Sequence, residues 1–191
     1  MRLHVRSFVL GRYPIRGHLA WRDGDRDALF IDPGGWDDAI TETLATLGLV
    51  VHAIALTHGH RDHTEGLRAM LERLPAPVYV HAADVHLLPM QPDVRLAGDD
   101  EIPCGTVRWQ ALHTPGHTPG CLCFAADDVI FSGDTLFAGA IGGTTFLEAY
   151  EEERQHIREK LFPRGDATRV YPAHGPATTI GVERRCNPFL R

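Results

Sequence analysis

Ala53-Ile54-Ala55-Leu56-Thr57-His58-Gly59-His60-Arg61-Asp62-His63 decides how this chain is read. Its first four residues are a short, all-apolar run, the pattern of a strand buried on both faces. The run breaks into a segment with four residues of metal-ligand type, His58, His60, Asp62 and His63, within six positions. Those side chains cannot all face one way on a regular strand or helix. On a loop, with Gly59 between the first two, they can splay toward two adjacent points. Imidazole nitrogens and carboxylate oxygens are ligands of zinc, iron and manganese. The same residues also suit a polar loop that caps the next helix, with Asp62 as N-cap. This segment alone leaves both readings open.

Working toward the N-terminus, residues 3–10 read as a strand. Residues 18–22 and 27–31 form a strand pair across Asp23-Gly24-Asp25-Arg26. Asp32-Pro33-Gly34-Gly35 stops the second of these. A helix follows with Trp36, Ile40, Leu44 and Leu47 on one face and Gly48 as terminator. Toward the C-terminus, a helix carries Leu67, Met70, Leu71 and Leu74 on one face. Val78-Tyr79-Val80 is a buried strand, and Ala82 to Leu88 a short helix. A turn-rich stretch leads to a strand over Thr106 to Leu112. Strands over Cys121–Ala125 and Val129–Ser132 flank Asp127-Asp128. A helix over about 148–162 carries glutamates in its first turns. Val170-Tyr171 is a last short strand. Early antiparallel strands and later strands separated by helices predict helices on both faces of a sheet system.

Polar residues fall where apolar strands end. His117 lies between Thr114-Pro115-Gly116 and Thr118-Pro119-Gly120, so two turns hold one imidazole. Asp134 follows Ile130-Phe131-Ser132-Gly133, where a carboxylate needs partners or a metal because a lone buried charge is costly. His174 stands before Gly175-Pro176. His117 and His174 have bland alternatives as turn residues, and Asp134 as a buried carboxylate with hydrogen-bond partners. Together with the first segment they supply five imidazoles and two carboxylates, enough for two metals that share one Asp and one solvent oxygen. His81 and Tyr150 read as packing residues.

The totals set limits. The 191 residues suit a single domain, 1–191, with a sizeable core. A formal net charge of −6 without Lys/Arg clusters argues against nucleic-acid binding. Met1-Arg2-Leu3-His4-Val5-Arg6 has no apolar signal core, and no run is long enough to span a membrane, so a cytoplasmic location is expected. Four cysteines are too few and scattered for a disulfide framework, and Cys121 and Cys123 read as buried thiols. Arg12-Tyr13-Pro14-Ile15-Arg16 reads as a solvated turn, or as a mouth for an anionic substrate.

The series Thr57-His58-x-His60-x-Asp62-His63, His117 in His-Thr-Pro-Gly-His, Asp134 in Ser-Gly-Asp-Thr, and His174 resembles the metallo-β-lactamase superfamily over nearly the whole chain. The resemblance implies an α/β (α+β) αββα sandwich of two mixed sheets flanked by helices. It implies one metal on His58, His60 and His117, a second on Asp62, His63 and His174, and Asp134 between them. Asp32 and Thr57 would support the ligands from behind. His63 and Asp134 differ from the antibiotic-degrading branch, which has a cysteine at the position of Asp134. Phe131 to Phe137 and the tail from His174 to Phe189 are similar to the glyoxalase II group, the hydroxyacylglutathione hydrolases, in a short form without their helical C-terminal domain. Gly143 stands where that group carries a Lys or Arg toward the glutathione carboxylate.

The resemblance therefore implies a small-molecule thioester of the S-acylglutathione type as substrate. Two divalent metals are implied, zinc first and iron or manganese as alternatives. A metal-bridging hydroxide would be the nucleophile, oriented by Asp62 as catalytic residue. The competing expectations are a mono-iron persulfide dioxygenase using only His58, His117 and Asp134, a lactonase or RNA phosphodiesterase, and a non-catalytic zinc-stabilised binding protein.

Overall fold

A computed structural model describes residues 1–191. Its first sheet runs in the order β1 (Leu3–Leu10), β2 (Ile15–Arg22), β3 (Asp27–Ile31), β4 (Val50–Ala55), β5 (Val78–His81) and β6 (Val94–Leu96). The first three strands are antiparallel neighbours, and the last three join in parallel. The parallel crossovers carry the first helices: α1 (Asp38–Leu47), a single turn α2 (Arg61–Thr64), and α3 (Leu67–Arg73). Asp37 begins α1 by accepting the Ala39 N–H at 2.8 Å, and Gly48 ends it in the left-handed conformation at φ 65°. Ile40 and Leu44 face the core as the periodicity predicts. Leu47 stays exposed, and Trp36 precedes the helix.

The second sheet is built from β7 (Glu101–Cys104), β8 (Val107–His113), β9 (Leu122–Ala126), β10 (Val129–Gly133) and, beyond a small separate ribbon of β11 (Leu136–Phe137) and β12 (Ala140–Ile141), β13 (Arg169–Pro172) and β14 (Thr178–Thr179). The ribbon forms its own two-stranded sheet. Between β12 and β13 lies α4 (Leu147–His156), which continues as a π-helical stretch over Ile157–Leu161 and a 3₁₀ turn over Phe162–Arg164. The tail forms α5 (Ile180–Cys186).

Three apolar clusters define the layers. One lies between the sheets, where Leu29, Ile31, Ala53 and Ala55 meet Trp109, Phe124, Val129 and Phe131. The second packs Phe30, Ile54 and Val80 against Ile40, Leu44, Leu67 and Met70 of α1 and α3. The third packs Ile130 and Val170 against Ile157, Leu161 and Ile180. The order is helices, sheet, sheet, helices, the αββα sandwich implied by the sequence. Cys121 and Cys123 are free buried thiols, and burial pushes the Cys123 thiol up to about 11. Tyr150 packs on the third cluster, and buried His81 stacks on His113 with centroids 4.1 Å apart.

Candidate metal centre

The site forms where several strand ends meet. The segment after β4 delivers Thr57 to His63, the β8–β9 loop delivers His117, the end of β10 delivers Asp134, and the end of β13 delivers His174. Gly133 makes the approach of β10 possible. Its φ is +50°, and a Cβ there would lie 2.3 Å from the Thr57 hydroxyl, so only glycine fits.

The structure brings all seven predicted ligand residues together. His58, His60 and His117 form one triad, and Asp62, His63 and His174 another. His60 Nδ1 lies 3.0 Å from both His58 Nε2 and His117 Nε2. His174 Nε2 is 3.3 Å from Asp62 Oδ2, and His63 Nε2 is 3.9 Å from that oxygen. Four ligands at about 2.1 Å around a tetrahedral metal lie about 3.4 Å from one another, so both triads have the spacing of ligands on a common ion. Asp134 stands between them. Its Oδ1 is 3.4 Å from His63 Nε2 and 3.7 Å from His174 Nε2, while its Oδ2 is 3.5 Å from His117 Nε2. Asp134 Oδ1 and His63 Nε2 are buried without a hydrogen-bond partner. Orphaned buried polar atoms carry a desolvation cost that a ligand removes. The donor set, its spacing and these two atoms fit a pair of metal ions.

Supporting contacts fix which nitrogen of His117 and of His63 faces the centre. His117 Nδ1 donates to Gly143 O at 2.7 Å, leaving Nε2 free to face His60 and any ion held there. His63 Nδ1 lies 3.0 Å from Asp32 Oδ2. The Asp32 carboxylate also accepts the Thr57 N–H at 2.8 Å and the Thr57 hydroxyl at 2.7 Å. Asp32 is held at φ 52°, an uncommon conformation for a non-glycine residue, and such strain concentrates at functional sites. Asp62 does not cap α2. His60 occupies the N-cap position, without a side-chain hydrogen bond.

Electrostatics match the arrangement. Burial, then the neighbouring imidazoles, holds His58 well below the usual histidine range, in favour of the neutral form that metal binding requires. Burial acts the same way on His63. There the carboxylates of Asp32 and Asp134 outweigh it and push the group up to about 10. Hydrogen bonding to His174 holds Asp62 down at about 2.

One supporting residue carries no sequence signal. Asp84, in the 3₁₀ turn over Ala82–Leu87, is fully buried. Its carboxylate accepts the Gly59 N–H at 2.9 Å, the Thr118 hydroxyl at 2.7 Å and the Gly120 N–H at 2.9 Å. It ties the loop of His58 and His60 to the loop of His117. Nothing in the run Ala82-Ala83-Asp84-Val85 distinguishes it from a surface aspartate.

The family model for the metallo-beta-lactamase superfamily matches residues 18–174. The chain belongs to this superfamily. Among curated relatives, the probable metallo-hydrolase YqgX of Bacillus subtilis is 32% identical, with 93% of each chain covered. The hydroxyacylglutathione hydrolase GloC of Haemophilus influenzae is 35% identical, covering 90% of this chain and 91% of that protein. Among solved structures, BLEG-1 B3 metallo-beta-lactamase superposes with a TM-score of 0.89 at 31% identity over 98% of this chain and 99% of that one. ETHE1 from Myxococcus xanthus gives 0.85 at 28% over 97% and 83%. TTHA1623, solved in a di-iron-bound form, gives 0.80 at 31% over 97% and 100%. Members of this superfamily are metallo-hydrolases in the main, and its divalent-metal chemistry fits the His/Asp clusters. No helix is long and apolar enough to cross a membrane.

Proposed function

We propose that this superfamily member is a two-metal hydrolase of a small-molecule thioester, of the S-acylglutathione type, working as one domain over residues 1–191. The observation that carries the reading is the division of Asp134, one oxygen toward each triad. The likeness to a protein named hydroxyacylglutathione hydrolase supports the substrate class, and the di-iron form of TTHA1623 supports a pair of metals. Zinc is the first assignment, with iron next; a cytoplasmic location fits the substrate.

When bound, two metals supply a water acidic enough to attack at neutral pH and a Lewis acid for the acyl carbonyl. The chain's own residues do the rest. Asp134 fixes the separation of the two triads. Asp32 orients His63 through Nδ1, and Gly143 O orients His117. Asp62, kept ionised by His174 through Oδ2, has its other carboxylate oxygen available to orient the attacking water. A thioester suits this set because a thiol leaves with a pKa of about 8.5 and needs no strong acid behind it.

The test is metal content per chain alongside hydrolysis of S-lactoylglutathione, glutathione persulfide oxidation and β-lactam hydrolysis by the same sample. Two metals with thioester cleavage support the reading. One iron with oxygen uptake on glutathione persulfide replaces it with a dioxygenase. β-Lactam cleavage without thioester cleavage replaces it with the chemistry named for BLEG-1.

A further inference from the structure

We propose that a pocket beside His117 receives the acyl chain of the substrate and selects an uncharged, apolar chain over a negatively charged one. The proposal rests on the thioester reading. The cavity, about 380 Å³, lies between the loop of His117 and the first turns of α4. Pro115, Pro119, Phe146 and Ala149 supply apolar wall, Glu152 a carboxylate, and His117 joins the pocket to the first triad. At the start of α4, Phe146 is 68% exposed and Leu147 70% exposed. Phe146 is therefore a large apolar side chain that a bound chain would cover, at a favourable free energy proportional to the area removed from water.

Charge decides the class. No Lys or Arg lines the pocket. The nearest ammonium, Lys160, is held 2.6 Å from the His113 carbonyl. Glu152 lines the wall, 3.9 Å from His156 Nε2, and Glu148 is exposed on the same helix, while Glu151 is paired with Arg154 at 2.8 Å outside the lining. An acyl group with its own carboxylate would meet Glu152 with no Lys or Arg on the lining to pair with. On the other flank, cations stand beside His174 rather than being tied up on the pocket side. Arg16 donates through Nε to Gly175 O at 2.6 Å, directly beside His174, and Arg12 sits in the exposed β1–β2 turn. An anionic thiol carrier is accommodated on the His174 side, which leaves the His117 side to the acyl chain.

The experiment compares the acetyl, hexanoyl and succinyl thioesters of N-acetylcysteamine, one uncharged thiol throughout, on the metal-loaded protein. Hexanoyl is expected to exceed acetyl in kcat/KM by at least about tenfold, the lower end for even one buried methylene, and to exceed succinyl by at least as much. Ala149→Trp, which fills the pocket, and Phe146→Ser, a surface change that leaves the fold intact, should both bring the hexanoyl-to-acetyl ratio toward one. Glu152→Lys should raise succinyl relative to hexanoyl. Calorimetry with S-hexyl-N-acetylcysteamine reads binding without turnover, and both pocket variants should weaken it. Equal rates across chains, or ratios that neither variant moves, overturn the proposal and leave the hydrolase reading standing. No thioester cleavage, with the hexyl thioether bound by the wild type and lost in both variants, sinks the hydrolase reading and keeps the apolar pocket.

Discussion

Replacing Asp84 by alanine should loosen one half of the metal centre without touching a ligand. Three donors converge on the Asp84 carboxylate: the Gly59 and Gly120 amides and the Thr118 hydroxyl, at 2.7–2.9 Å. Hydrogen bonds to a charged group are worth about 1.5–3 kcal/mol each, but they do not add, and breaking a buried network of this kind costs about 4 kcal/mol. For a chain of this size that is a fall in Tm of about 10 °C. The tied loops carry His58, His60 and His117, so affinity at that triad should fall about 10- to 100-fold, the usual cost of losing an outer partner. The Asp62, His63, His174 triad rests on Asp32 instead. Asp84→Asn keeps the volume but turns one acceptor into a donor facing a backbone N–H or the Thr118 hydroxyl, and should fall between. Thermal unfolding of metal-free protein and chelator-competition titration of zinc report both quantities. An Asp84→Ala protein within about 2 °C of wild type, with both metals bound as tightly, would refute the reasoning.

Metal binding should release a proton from His63, which Asp32 and Asp134 push up to about 10 against the effect of burial. Calorimetry near neutral pH in buffers of different ionisation enthalpy should report about one proton per chain from this residue, and no release contradicts the assignment. Because this folded-state value is raised above the ordinary histidine value, its contribution to metal-free stability is full below about 6.5 and is lost as pH rises through about 10. Asp32→Ala removes the oxygen 3.0 Å from His63 Nδ1 and should lower metal affinity at the second triad about 10- to 100-fold, measured by the same competition titration; unchanged affinity counts against that role. Glu153 is fully buried with both oxygens unpartnered, and burial, then Asp134, raises it to about 9. The unfolded chain gives up this proton first, so the group costs stability increasingly from its ordinary value of 4.5 up to about 9. Glu153→Gln should raise the metal-free Tm at neutral pH by several degrees and change it little near the acid end, and a pH-independent difference would argue against a buried titrating group.

The sandwich was legible because its central strands announce themselves. Ala53–Leu56, Val78–Val80 and Val129–Ser132 are apolar runs that only a doubly covered sheet explains. The edges were not. β6 and β7 lie in a stretch that reads as turns, since three- or four-residue strands such as Val94–Leu96 and Glu101–Cys104 have too few residues for an alternating pattern. β14 is two residues long, and α5 buries only Ile180, Gly181 and Glu183, a face without an apolar stripe. The clustering of the seven candidate ligand residues was legible because each follows a strand and each is His or Asp. Asp84 and the Gly143 carbonyl were not, because they act through tertiary contacts 25 to 36 residues away in sequence. Glu153 was hidden for the opposite reason. It sits in a run of three glutamates that reads as a solvated helix start, yet Gly116 and Gly142 close over it: a Cβ on either would come within 2.5 Å of its side chain.

The central claim is a pair of metals shared by two triads through Asp134. Its most direct test is metal content per chain by elemental analysis, for the wild type and for His117→Ala and His174→Ala after equilibration with zinc and removal of loosely bound ion. The account predicts two ions in the wild type and one in each variant, because His117 and His174 belong to separate triads. One ion in the wild type, or both ions retained in either variant, would contradict it.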